Sequence, residues 1–224
     1  MMSRKVFSLL AVMLIFPLAG VWSFADPGPW KLKRKKDGIE AFLRDIPERN
    51  LKEFRGVMYV RGIRLSSMVA TFDDTPSYTG WMHNCTESKL LKAMNVHERI
   101  TYTVTHAPFP ARDRETIVYS YMSQNPEDLT VTIAIDSRAD FLPKNGKMVR
   151  IPYMKALWTF KPLKSGDVMI SYQTVTDPGG YLPLWLLNLS VVDLPFYTMA
   201  KFREAIKNGK YAAVEYDVIQ EPGE

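Results

Sequence analysis

Side chains able to do covalent or metal chemistry are few in this chain and scattered along it. Cys85 is the only cysteine, so no disulfide can close within the chain. A lone thiol becomes a nucleophile only beside a base and in surroundings that lower its pKa; with neither signalled, Cys85 reads as a buried, inert residue. Asn84-Cys85-Thr86 also spells a glycosylation sequon, meaningful only in a eukaryotic secretory pathway. His83, His97 and His106 fall on different expected elements, so no two share the spacing of a metal-ligand pair. Asp73-Asp74 stands before Thr75-Pro76 and reads as a helix stop rather than an acid–base pair. Gly-x-Ser-x-Gly, His-Glu-x-x-His, Cys-x-x-Cys and glycine-rich phosphate loops are all missing from the sequence. The expectation is a protein that is not an enzyme and needs no metal or cofactor.

The elements around these residues begin with a leader. Arg4 and Lys5 precede an apolar run over residues 6–21, and Ser23-Phe24-Ala25 places small residues at both cleavage-determining positions. This is the pattern of a secretory signal peptide, 1–25, cut after Ala25; the competing reading is an uncleaved anchor, for which the run is short of the ~20 apolar residues a spanning helix needs. The expected compartment is periplasmic or extracellular. Losing Arg4 and Lys5 lowers the formal net charge of +5 by two. Lys31-Leu32-Lys33-Arg34-Lys35-Lys36 is the one basic cluster. It suits an edge strand that lysines protect from aggregation, or a surface that meets anionic lipid head groups. With no basic run interleaved with aromatics, no nucleic-acid partner is expected.

Residues 30–36 and 39–45 flank Asp37-Gly38, a hairpin pair, and 53–61 follows to complete a meander. Leu65, Met68, Val69 and Phe72 repeat with helical spacing, and 77–82 adds a short helical turn. Strands resume over 89–95, 99–106, 115–123, 129–136, 149–151, 156–161 and 168–176, separated by turn residues at Pro108 and Pro110, Asn125-Pro126, Asn145-Gly146 and Ser165-Gly166. Ile100, Tyr102 and Val104 alternate with Thr101, Thr103 and Thr105, the period of a sheet with one covered face.

Asp177-Pro178-Gly179-Gly180-Tyr181-Leu182-Pro183 then reads as a turn into a long helix over 184–207. Its residues Leu184, Leu187, Val191, Pro195, Thr198, Phe202 and Ile206 recur at spacings of three or four, so one stripe must cover something apolar. Pro195 and Thr198 are unusual choices for a tightly packed helix centre. The whole is one α+β domain over 26–208: about nine strands in a curved antiparallel sheet, two small helices after the third strand, and a long helix across the concave face. Residues 209–224 form a polar C-terminal tail, expected to be mobile unless 211–219 adds a short extension.

Ala107-Pro108-Phe109-Pro110, followed by Arg114-Glu115, resembles the Pro-aromatic-Pro then Arg-acid segment of the StAR-related lipid-transfer (START) domains. Trp158-Thr159-Phe160-Lys161-Pro162, Asp177-Pro178-Gly179-Gly180 with Leu182-Pro183, and Trp185-Leu186-Leu187-Asn188 look like the strand pair and final-helix entry of that family. The resemblance spans roughly residues 30–208. It implies a helix-grip fold with an internal tunnel for one lipid, roofed by Leu187, Val191, Thr198 and Phe202. Ser120 stands where phosphatidylcholine-binding members carry an arginine, which puts phosphodiester recognition by that residue in doubt. Tyr102, Ser120, Tyr119 and Arg150 remain as polar contacts inside the cavity, Arg150 only if it faces inward and meets a carboxylate or an anionic ligand.

The expected ligand is a sterol, a fatty acid or a phospholipid, and the expected protein a monomer that touches membranes transiently. A transfer protein needs a gate. The candidates are the loop holding Phe141 and Leu142, two apolar residues beside Lys144, and the Gly179-Gly180 turn. Two other classes stay open: a polyketide cyclase-like enzyme, since some helix-grip proteins orient a reactive chain in such a cavity, and an envelope sensor or adaptor that holds lipid as a structural plug.

Overall fold

The computed structural model describes residues 28–144 and 146–223; the expected leader, 1–25, lies outside the described residues. The chain opens with β1 (Lys31–Lys36), β2 (Ile39–Ile46) and β3 (Leu51–Arg61), followed by α1 (Leu65–Asp73) and the single-turn α2 (Tyr78–Trp81). Then come β4 (Cys85–Ala93), β5 (Glu98–Thr105), β6 (Arg114–Gln124), β7 (Val131–Ser137), β8 (Val149–Arg150), β9 (Tyr153–Pro162), β10 (Asp167–Asp177) and α3 (Leu184–Lys207). These form one sheet in the order β1-β2-β3-β10-β9-β7-β6-β5-β4, with the two-residue β8 beside β6. Every pairing is antiparallel except β6 with β8.

Local chemistry accounts for the main turns. Asp37 and Gly38 both take positive φ, 52° and 72°, which is the two-residue turn whose twist matches flanking antiparallel strands. β1 is an edge strand, as its lysines lead one to expect, with Lys35 paired to Glu40 and Arg34 reaching Asp193 of α3 at 2.6 Å. β2, β3, β9 and β10 send alternate residues inward, among them Ile39, Ala41, Phe54, Met58, Phe160 and Ile170. They meet α1, α2 and the second half of α3.

The tightest helix–sheet contact is at Gly56 of β3. A Cβ there would lie 2.1 Å from Met199 Sδ, so the missing side chain is what lets α3 approach. Next to it Phe202 sits among Phe72, Trp81, Trp158 and Phe160, with ring centroids 5.0 to 5.8 Å away. A second, smaller core lies on the opposite face of the sheet, where Ile100, Tyr102, Val104 and Ile117 pack with Leu91, Tyr119 and Met148.

The polar tail departs from expectation. Rather than hanging free, it docks on α1: Ile219 and Glu221 are buried, and the Glu221 carboxylate accepts from the backbone N–H groups of Leu65 and Ser66 at 2.9 and 2.8 Å. Arg64, at the N-cap position, makes no side-chain cap, so a residue about 155 positions away satisfies the first-turn donors and complements the helix dipole. Composition alone cannot reveal such a partner. Replacing Glu221 by alanine strands two buried donors and is expected to lower stability by about 2–3 kcal/mol. Glu221→Gln, which keeps an acceptor oxygen, should lose less; urea unfolding midpoints of the two variants test the order.

Candidate functional site

Between the sheet and the first half of α3 lies a cavity of about 360 Å³. The register of β5 against β6 builds one wall. Thr105 pairs with Arg114, Thr103 with Thr116, Thr101 with Val118 and Arg99 with Ser120, and residues paired directly across antiparallel strands share a face. That face carries Thr101, Thr103, Thr105, Arg114, Thr116 and Ser120 into the cavity. The floor is aromatic, with Phe72, Trp81 and Trp158, the rings that also surround Phe202. Trp158 stacks on Tyr172 at 4.2 Å and 14°, fixing both side chains.

α3 covers the space with Leu186, Ser190, Val191, Leu194, Pro195 and Thr198. Pro195 has no N–H, so the Val191 carbonyl lacks its helical donor within the stretch that roofs the cavity. Buried Thr198 accepts from the His83 backbone N–H at 3.1 Å, tying α3 to the residue two beyond α2. The cavity reaches the surface at a rim that includes the exposed Asn84, His106, Pro108, Leu189 and Tyr197. At this rim His106 Nδ1 lies 3.0 Å from Asp113, and Asp193 is held by Arg34.

Of the residues expected to line the cavity, Val191, Thr198 and Ser120 do so. Four do not. Leu187 is turned away from the space by the actual rotation of α3, which presents Leu186 and Ser190 instead. Phe202 lies beyond the floor, locked in the ring cluster. Tyr102 and Arg150 point to the other face of the sheet: the Tyr102 hydroxyl donates to Glu115 at 3.2 Å, and Arg150 forms an ion pair with Glu115 at 3.0 Å, both side chains of that pair being only 2% exposed. Burial and the neighbouring Glu115 charge push the Tyr102 hydroxyl up to about 12. The threonines of β5, which alternation assigns to solvent, face the cavity because both faces of this strand are covered.

The expected gate residues Phe141 and Leu142 are partly exposed, at 43% and 37%. Neither lines the cavity, and Arg150 pins their loop by donating to the carbonyls of Ala139, Leu142 and Pro143 at 2.5, 3.0 and 3.3 Å. Gly179 and Gly180, at φ 61° and 59°, form the turn before α3 without contributing to the wall. Sequence reasoning missed an exposed apolar group flanking the rim: Phe109 is 92% exposed, Tyr181 86%, Leu184 77% and Trp185 52%. Periodicity assigns Leu184 to the apolar stripe of the helix. Its exposure shows the stripe begins two residues later. Cys85 is buried, and burial raises its thiol pKa. Among the described residues no three His, Cys, Asp or Glu side chains gather as a metal site, and no helix is long and apolar enough to cross a membrane.

No family model matches the chain. An uncharacterized protein of Pseudomonas aeruginosa is 29% identical over 186 residues, 83% of this chain and 91% of that one. A crystal structure of the STAR-related lipid transfer protein from Xanthomonas axonopodis is 30% identical, with a TM-score of 0.73, over 80% of this chain and 98% of that one. The chain belongs to the START family. Human STARD10, at 19% identity and a TM-score of 0.69 over 80% of this chain and 73% of that one, shares the START fold. So does the Zhui aromatase/cyclase from Streptomyces, at 8% identity and a TM-score of 0.50 over 75% and 99% of the two chains. The observed architecture is the helix-grip arrangement of START domains, a large curved antiparallel sheet closed by a C-terminal helix.

The Glu115–Arg150 pair makes a structural prediction for this START domain. Removing one partner of a buried ion pair leaves an uncompensated charge. Glu115→Gln should therefore cost about 3–5 kcal/mol in urea unfolding, and Glu115→Leu combined with Arg150→Met should recover most of that loss.

Proposed function

We propose that this START domain holds one apolar lipid in its cavity and carries it between membranes as a monomer, without covalent chemistry. The leader expected at 1–25 would deliver it to the periplasm or the cell exterior, where such a carrier is needed between aqueous faces. The cavity carries this reading: its volume of about 360 Å³ falls within the ~300–1,000 Å³ typical of small-ligand sites, and its floor and roof are aromatic and aliphatic. Family membership supports it, since the Xanthomonas relative is described as a lipid transfer protein. Shielding is the mechanism. Each methylene withdrawn from water contributes ~0.8 kcal/mol, so a long chain is held without many polar contacts.

Loading requires the rim to open at a bilayer. Phe109, Tyr181, Leu184 and Trp185 are exposed beside the cavity-lining residues Pro108, Leu182 and Leu186, and exposed apolar groups around a cavity mouth fit an interface between water and acyl chains. We assign the hinge to Gly179-Gly180, because the first half of α3 lies over the cavity whereas the second half is clamped at Gly56 and Phe202.

Native mass spectrometry of protein purified from its own type of host should show a stoichiometric lipid, and Ser120→Trp, which fills the cavity, should abolish it. In vesicle-to-vesicle transfer of a fluorescent lipid, Phe109→Ser with Trp185→Ser should slow exchange about tenfold or more, as expected from withdrawing two aromatic anchors. An empty protein that ignores a lipid panel would overturn the reading, and an unchanged transfer rate would reject this rim as the membrane contact.

A further inference from the structure

Arg114 is an unusual arginine. Two arginines are buried among the described residues, Arg114 at 6% exposure and Arg150 at 7%. Arg150 has the Glu115 carboxylate as its counter-ion and donates to three loop carbonyls, although its Nε is buried without a partner. Arg114 sits on the cavity wall and forms no ion pair among the described residues. Its Nη1 donates to the Arg112 carbonyl at 2.5 Å, its Nη2 reaches the Gly179 carbonyl only at 3.5 Å, and its Nε is buried with no hydrogen-bond partner. The nearest acid in sequence, Asp113, is already engaged by His106 and by the Ala107 N–H, at 3.0 Å each. Burial, followed by the Arg112 charge, pulls the Arg114 pKa down, and the Asp113 charge opposes this only in part.

A buried guanidinium without a counter-ion is costly. The unengaged donors are Nε and the weakly held Nη2, the two parallel N–H groups that receive a carboxylate or phosphate bidentately. Position agrees with that use. Arg114 opens β6 immediately after the rim loop, paired across the ladder with Thr105, and the aromatic floor lies at the other end of the wall. No hydrogen bond joins the hydroxyls of Thr105, Thr116 or Thr103 to another protein group among the described residues, which leaves them able to serve the remaining oxygens of a head group.

We propose that the cavity selects an anionic amphiphile, whose carboxylate or phosphate binds Arg114 near the rim while its hydrocarbon chain runs inward to the aromatic floor. This rests on the lipid-binding reading and adds the charge and the orientation of the ligand.

The test compares oleate, oleyl alcohol, methyl oleate and oleoyl lysophosphatidic acid, below their critical micelle concentrations, by displacement of a fluorescent fatty-acid probe from the full mature chain. The wild-type protein should bind an anionic ligand about 10- to 100-fold more tightly than the alcohol or ester, the range for a charge-assisted hydrogen bond. Arg114→Gln should erase that preference while keeping oleyl alcohol binding within about threefold, and Arg114→Lys should retain part of it as a point charge. Tighter binding of oleate than of the lysophospholipid would assign a carboxylate head, and the reverse a phosphate. Equal wild-type affinity for charged and neutral ligands, or a preference that survives Arg114→Gln, would overturn the proposal and leave lipid binding standing. Binding of none of the four would overturn both. Because Arg114 also holds two carbonyls, its variants are first checked by circular dichroism; the wild-type selectivity alone decides the matter if they do not fold.

Discussion

Gly56 lets α3 come down onto the sheet, and much of the architecture follows from where that contact is placed. Met199 occupies the space a side chain at Gly56 would need, and Phe202 beside it is caught among four aromatic rings. The second half of the helix is therefore clamped by close packing, where a change of even one methylene is felt. The first half faces a wall of hydroxyls on β5 and β6 and a proline in its own middle. Hydroxyls offer little apolar area to drive collapse, and the stacked Trp158 and Tyr172 prop the floor. A helix held at one end over a wall of this kind leaves a cavity, and the cavity opens at the unclamped end.

β6 carries the electrostatic counterpart of that asymmetry. Arg114 and Glu115 are adjacent, so the strand's period of two sends them to opposite faces. On the outer face Glu115 meets Arg150, which in turn gathers the carbonyls of the loop over residues 139–143, and the small core of Ile100, Tyr102, Val104 and Ile117 is closed beneath. On the inner face Arg114 is left to the cavity. A one-residue slip of β6 would exchange these two environments, placing an acid in the cavity and an unpaired cation under the loop. The outer ion pair thus specifies the register that builds the inner site.

Much of this fold was legible in the sequence where local rules act alone. The Asp37-Gly38 hairpin, the helix at Leu65–Asp73 and the long helix at Leu184–Lys207 follow from turn chemistry and period, and each stands where expected. Orientation was less legible. For Leu187 against Leu186, and for Tyr102 against Thr103, the pattern marks two faces but not which one meets the cavity, because β5 is covered on both sides and α3 is apolar through most of its circumference. Arg150 was readable as a residue that must meet a carboxylate if buried. That the carboxylate is Glu115, on the face away from the cavity, depends on a pairing between β6 and β8 set by tertiary structure.

The C-terminal segment shows how far such long-range pairing extends. Glu221 satisfies the first turn of α1, while Tyr216 donates to Asp73 at 2.6 Å and Lys210 and Tyr211 both engage Asp74 at the helix's other end. Lys210 and Tyr211 hold the Asp74 carboxyl below its ordinary pKa, so this end of the clasp is complete above the ordinary carboxylate range and is lost as pH falls through the lowered value. Between these two fastenings lies Phe72, a floor residue of the cavity and a neighbour of Phe202. Tail, α1, Phe72 and Phe202 therefore form one continuous chain of contacts, in which polar bonds at the surface fix a helix whose inner face sets the depth of the binding space.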